Sequence, residues 1–176
     1  MSCYSDLISC PSRPPLEEAQ QLSYIKYTPP WSLERENSQY IITSENRGLI
    51  LASGTTGFRT WEAALHLGTF LSTLEGKALV ENKNVVELGA GTGLISMYCA
   101  KYLGAASVTA TDREPALIAN IQDCVPLNDL QSRSFHAVTW EWGNSMVFED
   151  DASACQTSPP RYDVGLGADL VCICLY

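Results

Sequence analysis

Basic residues are scarce in this chain: 11 lysines and arginines stand against 20 aspartates and glutamates over 176 residues, a formal net charge of −9. No Lys/Arg-rich run is present that could neutralise a phosphate backbone, so direct nucleic-acid binding is not expected. An acidic surface favours a basic partner through long-range steering. CxxC pairs are missing too. The seven cysteines are scattered and odd in number, and two histidines, His66 and His136, cannot complete a zinc pattern. No metal site is expected, and the thiols read as reduced. No apolar run reaches about 18 residues, the rough minimum for a membrane span. The opening "MSCYSDLISC" has no basic region followed by an apolar one, as a secretory leader would. The expected setting is therefore the cytoplasm, away from membranes. No internal repeat is visible, and a hydrophobic content of 45% is enough for a core.

What is present is an alternation of strand-like and helix-like segments. Residues 1–46 carry prolines among polar residues and read as an N-terminal extension, broken by the strand-like "SYIKYT". "GLILAS" (48–53) is its expected partner. A helix is expected from Thr60, as N-cap, to about Leu74, with Trp61, Leu65, Leu67, Phe70, Leu71 and Leu74 on one apolar face. Then follow a strand at 84–88, a helix at 93–103, a strand at 107–111, a helix at 114–126, a strand at 135–139, a polar loop at 143–161 and a strand at 162–171. Strands alternating with helices predict βαβ units, that is, an α/β Rossmann-like parallel sheet with helices on both faces over residues 47–176.

Residues 86–94, "VELGAGTGL", put a glycine turn directly after an apolar strand. Glycines at 89, 91 and 93 let a ligand approach the backbone, because no Cβ intervenes. A dinucleotide fingerprint needs a small sixth residue for close helix packing, and Leu94 stands there instead. A P-loop needs Gly-Lys-Ser/Thr, which is missing. A sulfonium cofactor, S-adenosylmethionine, has no phosphate in need of a grip and suits nearby carboxylates. Glu87 stands two residues before the turn, and Asp112 ends the next strand, where it can accept both ribose hydroxyl hydrogens. Asp112 alone would suit NAD equally well.

"VELGAGTGL" with "VTATD" resembles motif I and its successor in the seven-β-strand methyltransferases. "GTTGFRTWEAALHLGTFL", "WEWG" and "GADLV" resemble the corresponding segments of their protein-lysine branch. With "SYIKYTPP", the nearest resemblance is to the elongation factor 2 lysine methyltransferases, and it spans roughly residues 22–171. The resemblance implies a cofactor site of Trp61, Glu87, Gly89, Ala90, Gly91, Asp112, Trp142 and Ala168. Trp142 takes the adenine-flanking place and Trp140 the apolar one, although the two could be exchanged. Asp169 is implied as the residue that holds the incoming lysine amine, and translation elongation factor 2 as the protein substrate.

Transfer from a sulfonium is an in-line displacement, so positioning and desolvation dominate, and the amine must lose its proton before it attacks. The tyrosine of the branch's Asp-x-x-Tyr signature is replaced by Cys172, removing an aromatic wall that could hold an amine. Only four core strands can be counted before "CICLY", against seven in the family. The expectation is an N-terminal, cofactor-binding part, truncated after strand four. Two function classes stay open: a protein-lysine methyltransferase, or a non-catalytic fragment that binds only cofactor or a partner.

Overall fold

The computed structural model describes residues 21–29, 39–46, 48, 55–130, 134–146 and 161–170. Strand β1 (Ser23–Tyr27) pairs antiparallel with β2 (Ile41–Glu45), with Ser23 opposite Glu45 and Tyr27 opposite Ile41. The partner expected at 48–53 is thus replaced by 41–45, and residues 49–53 lie outside the described residues. Side chains serve backbone groups of β2 in place of a second strand. Asn128 Oδ1 accepts the Ile42 N–H at 2.8 Å, and its Nδ2 donates to the Ile42 carbonyl at 2.7 Å. Asn120 Nδ2 donates to the Ser44 carbonyl at 2.8 Å.

Helix α1 (Glu62–Leu71) lies within the expected helix, and a second helix that the sequence did not announce, α2 (Leu74–Val80), begins where the first was to end. Trp61 rather than Thr60 is the N-cap residue of α1, because the Thr60 side chain is drawn into a buried hydrogen-bond network. Thr73 ends the run by capping α2, its hydroxyl accepting the Gly76 N–H at 3.1 Å. Gly76 lets the two helices abut, since a Cβ there would lie 2.1 Å from the Phe70 carbonyl oxygen. The apolar face of α1 is also narrower than its sequence suggests. Leu71 is buried and Ala64 and Leu67 pack on the core, but Leu65, Phe70 and, beyond the break, Leu74 are exposed.

The second sheet comprises β3 (Asn84–Leu88), β4 (Ser107–Asp112), β5 (Phe135–Thr139) and β6 (Val164–Gly167), all parallel, in the order β5-β4-β3-β6. Helix α3 (Leu94–Tyr102) connects β3 to β4. Helix α4 (Pro115–Cys124) and a short 3-10 turn (Pro126–Asn128) lead towards β5. This is the expected Rossmann-like sheet flanked by helices. The last strand is shorter than the expected 162–171, because the chain turns out of the sheet at Asp169, where φ is +59°.

Alternate strand residues Val85, Val108, Ala110 and Phe135 belong to the same core as Ile95, Met97 and Cys99 of α3 and Ile118 and Ile121 of α4. Burying each large aliphatic side chain contributes about 1.5–3 kcal/mol. Helix α3 is buried without a break from Leu94 to Cys99, because α1 and β2 pack against it as well as the sheet. From β3, one connection leads through α3 to β4 on one side, while β6 lies on the other. Such a reversal opens a crevice at the carboxyl ends of the strands, where open α/β sheets take ligands.

Candidate cofactor site

The glycine turn leaves β3 at that crevice. Gly89, Gly91 and Gly93 have φ of +61°, +53° and +75°, the left-handed region where a Cβ is costly. The turn is latched to the end of β4. The Ala90 N–H donates to the Thr111 carbonyl at 2.8 Å, and the Gly91 N–H donates to Asp112 Oδ2 at 3.1 Å. A loop of residues 55–60 presses on its other side, so that a Cβ at Gly91 would sit 3.1 Å from the Gly57 carbonyl oxygen.

Asp112 Oδ1 accepts the Glu114 N–H at 3.1 Å and so sets the start of α4. These bonds use two of the carboxylate's roughly four acceptor positions. Being only partly buried, Asp112 keeps capacity for ribose hydroxyl donors. Glu87 lies beneath the turn and is buried. Its Oε2 accepts the Ser96 N–H at 2.9 Å and also the Ser96 hydroxyl. It thereby caps α3, whose own N-cap residue, Gly93, has no side chain to offer. Burial pushes the Glu87 carboxyl up from 4.5 to about 7, with the Ser96 bonds opposing the rise and the charge of Asp112 adding to it.

The remaining sequence-expected residues surround this edge. Leu88 lies opposite Gly167 in register, so Ala168 and Asp169 leave β6 at the level where β3 enters Gly89. Asp169 is exposed in the left-handed region. Leu170 folds back so that a Cβ at Gly89 would lie 2.9 Å from its Cδ2. Trp61, at the end of the 55–60 loop, donates its indole N–H to the Thr56 carbonyl at 3.2 Å and lies under the Arg59 guanidinium, 5.1 Å from the ring centre. After β5, the Trp140 N–H donates to the Asp112 carbonyl at 2.8 Å, and its indole N–H to the Asn144 carbonyl at 2.8 Å. Trp140 is half-buried, while Trp142 is 55% exposed.

The edge therefore brings together Gly89, Ala90, Gly91, Asp112, Ala168 and Asp169, with Glu87 below and Trp61 reached through the loop that touches Gly91. Sequence reasoning missed Ser96, Thr92 and Glu45, and it read Thr60 only as a helix cap. Their roles arise from contacts between segments far apart in sequence. Carboxylates on either side of a turn without lysine or arginine disfavour a polyphosphate and fit a phosphate-free, cationic ligand with a ribose, as S-adenosylmethionine is. Among the described residues, no group of three His, Cys, Asp or Glu side chains is arranged to hold a metal ion. No helix among them is long and apolar enough to cross a membrane.

A family profile described as lysine methyltransferase matches residues 39–173. The protein-lysine N-methyltransferase EFM3 of Chaetomium thermophilum is 38% identical over 171 residues, covering 97% of this chain and 50% of that protein. The protein-lysine N-methyltransferase EEF2KMT of Homo sapiens is 28% identical over 133 residues, 74% of this chain and 40% of that protein. The protein N-lysine methyltransferase METTL21A of Danio rerio is 38% identical over 114 residues, 63% of this chain and 46% of that protein. The chain thus spans about half the length of the curated relatives it matches. Among solved structures, the Thermus thermophilus 16S rRNA N2 G1207 methyltransferase, in complex with AdoMet and guanosine, shares the fold. Its TM-score is 0.57 at 18% identity, covering 87% of this chain and 34% of that one.

Proposed function

This chain belongs to the lysine methyltransferase family, and on that premise we propose that it forms the cofactor-binding part of a cytoplasmic, S-adenosylmethionine-dependent protein-lysine N-methyltransferase whose substrate is translation elongation factor 2. The observation that carries the cofactor assignment is the left-handed glycine turn latched to Asp112 at the topological reversal of the sheet. A protein lysine as the methyl acceptor is supported by the match to EFM3, which extends over 97% of this chain and not only the cofactor turn; elongation factor 2 as the protein that carries it is our own reading. That reading is supported by the "SYIKYTPP" resemblance.

In this reading Gly89, Ala90 and Gly91 line the methionine and ribose side of the ligand, and Asp112 takes the ribose hydroxyls. Glu87 faces the amino group, and Trp61, Trp142 and Ala168 enclose the remainder. When bound, S-adenosylmethionine supplies a methyl group on a positively charged sulfonium. Asp169, exposed where β6 ends, holds the lysine amine at the mouth of the crevice. The amine's usual pKa of about 10.4 requires that its proton pass to water before attack, and partial desolvation by Leu170 and the tryptophans favours that loss. The same reading treats residues 1–46 as an N-terminal extension, of which β2 packs on α3 and α4.

Radiolabelled methyl transfer onto purified elongation factor 2, run with this chain extended by a C-terminal half from the family, tests the proposal, with Asp169→Asn in the same extended protein as the comparison. Label on a lysine of elongation factor 2, lost in D169N, is the expected result. Label that goes to other proteins and spares elongation factor 2 would remove the substrate assignment.

A further inference from the structure

Three segments distant in sequence meet at one buried carboxylate that lies outside the turn. Glu45, the last residue of β2, is fully buried. Its Oε1 accepts the Thr43 hydroxyl at 2.7 Å and the Thr60 hydroxyl at 2.7 Å, and its Oε2 accepts the Thr60 N–H at 3.2 Å. The Thr60 and Thr92 hydroxyl oxygens are also 2.7 Å apart. Because the Thr60 proton is committed to Glu45, Thr92 must be the donor in that bond. Thr92 lies within the glycine turn. A directed chain of bonds thus runs from the turn (Thr92) through the loop that precedes Trp61 (Thr60) to the N-terminal strand (Glu45). Two backbone contacts reinforce it: the Asn46 N–H donates to the Phe58 carbonyl at 2.8 Å, and Gly57 lies against Gly91.

A buried carboxylate is costly even when its oxygens are satisfied, and well-packed apolar residues commonly serve stability as well or better. What Glu45 adds here is direction, since each of its donors must point at one oxygen. We propose that Glu45 is a positioning residue for the cofactor site: through Thr60 and Thr92 it fixes the glycine turn against the Trp61 loop and so sets cofactor affinity. The proposal rests on the cofactor reading of the turn given above. Asn128 provides the contrast. It anchors the same strand through Ile42 and bonds to the Cys124 carbonyl at the end of α4 and to Met97 Sδ on α3, so its bonds tie β2 to the helices and not to the Thr60 loop.

Wild type, Glu45→Gln, Thr92→Val and Asn128→Ala are compared in three measurements: calorimetric titration with S-adenosylhomocysteine, Tm, and amide hydrogen exchange at residues 89–93 without ligand. E45Q keeps the size of the side chain but puts a donor where an acceptor is needed. It should weaken binding about tenfold, the effect of one charge-assisted hydrogen bond, and T92V about threefold. Both should speed exchange at the turn. N128A should lower Tm at least as much, yet leave affinity within about twofold and turn exchange unchanged. If affinity and turn exchange do not change in E45Q and T92V, or change in N128A as much as in E45Q for the same loss of Tm, the proposal is overturned. Should the wild type bind no S-adenosylhomocysteine, the cofactor reading fails separately, and turn exchange alone decides whether Glu45 positions the turn.

Discussion

Replacing Glu87 by glutamine should remove a pH dependence built into the floor of the turn. Burial lifts the Glu87 carboxyl from 4.5 to about 7. At about 1.4 kcal/mol per pH unit, that gap corresponds to about 3 kcal/mol. The folded chain holds this proton more tightly than the unfolded one. The resulting stabilisation is therefore fully present below pH 4.5 and is lost as pH rises through about 7. Glutamine cannot ionise, yet its side-chain oxygen still accepts the Ser96 N–H and hydroxyl. Urea unfolding of both proteins at a series of pH values should find them close in stability near pH 4. By about pH 8, E87Q should be the more stable by about 3 kcal/mol. S-adenosylhomocysteine carries a cationic amino group, so its affinity for wild type should rise as Glu87 ionises and stay flat in E87Q over the same range. Stability curves that run parallel from pH 4 to pH 8 would refute the reasoning, because they would mean that burial imposes no penalty on the charged carboxylate.

Asp112→Ala leaves the Gly91 and Glu114 N–H groups without their acceptor. It should lower stability by about 1–2 kcal/mol and S-adenosylhomocysteine affinity tenfold to a hundredfold, roughly one charge-assisted bond or slightly more. Calorimetry beside urea unfolding separates the two effects, and reduced stability with undiminished affinity would leave Asp112 as a latch only. Gly91→Ala puts a Cβ at φ +53° and against the Gly57 carbonyl, and should destabilise by about 1–2 kcal/mol from the left-handed conformation alone. A Tm equal to wild type would mean that the turn relaxes freely. Asp169→Asn should bind S-adenosylhomocysteine as wild type does but slow methyl transfer about a hundredfold through a misplaced amine. Undiminished radiolabel incorporation would exclude Asp169 from the lysine site.

Strands β3 and β5 are legible in the sequence to the residue, because β-branched runs there end abruptly in polar or glycine-rich breaks. The parallel α/β class follows from the alternation with helices, whereas the order β5-β4-β3-β6, with the last strand returning beside β3, is seen only in the fold. The break between α1 and α2 is not legible. Thr73 sits inside the run with helical periodicity and Gly76 just beyond its expected end near Leu74, and only the close approach of two backbones makes the glycine necessary. The partner of β1 was misread for a similar reason. "GLILAS" is the more apolar run, whereas "IITSE" becomes a buried strand because Asn128, Asn120 and Thr60 serve its polar groups from elsewhere in the fold. At the site, the turn and Asp112 are local patterns and can be read directly. The Glu45–Thr60–Thr92 chain joins three segments whose proximity exists only after folding, so no spacing in the sequence announces it.

The central claim is that the turn takes S-adenosylmethionine and not a dinucleotide. Isothermal titration of the purified chain with S-adenosylhomocysteine and, separately, with NAD tests it most directly. S-adenosylhomocysteine should bind the more tightly, since Glu87 and Asp112 flank a turn with nothing to grip a pyrophosphate and Leu94 fills the place where a dinucleotide fold needs a small residue. Tighter binding of NAD would contradict the claim.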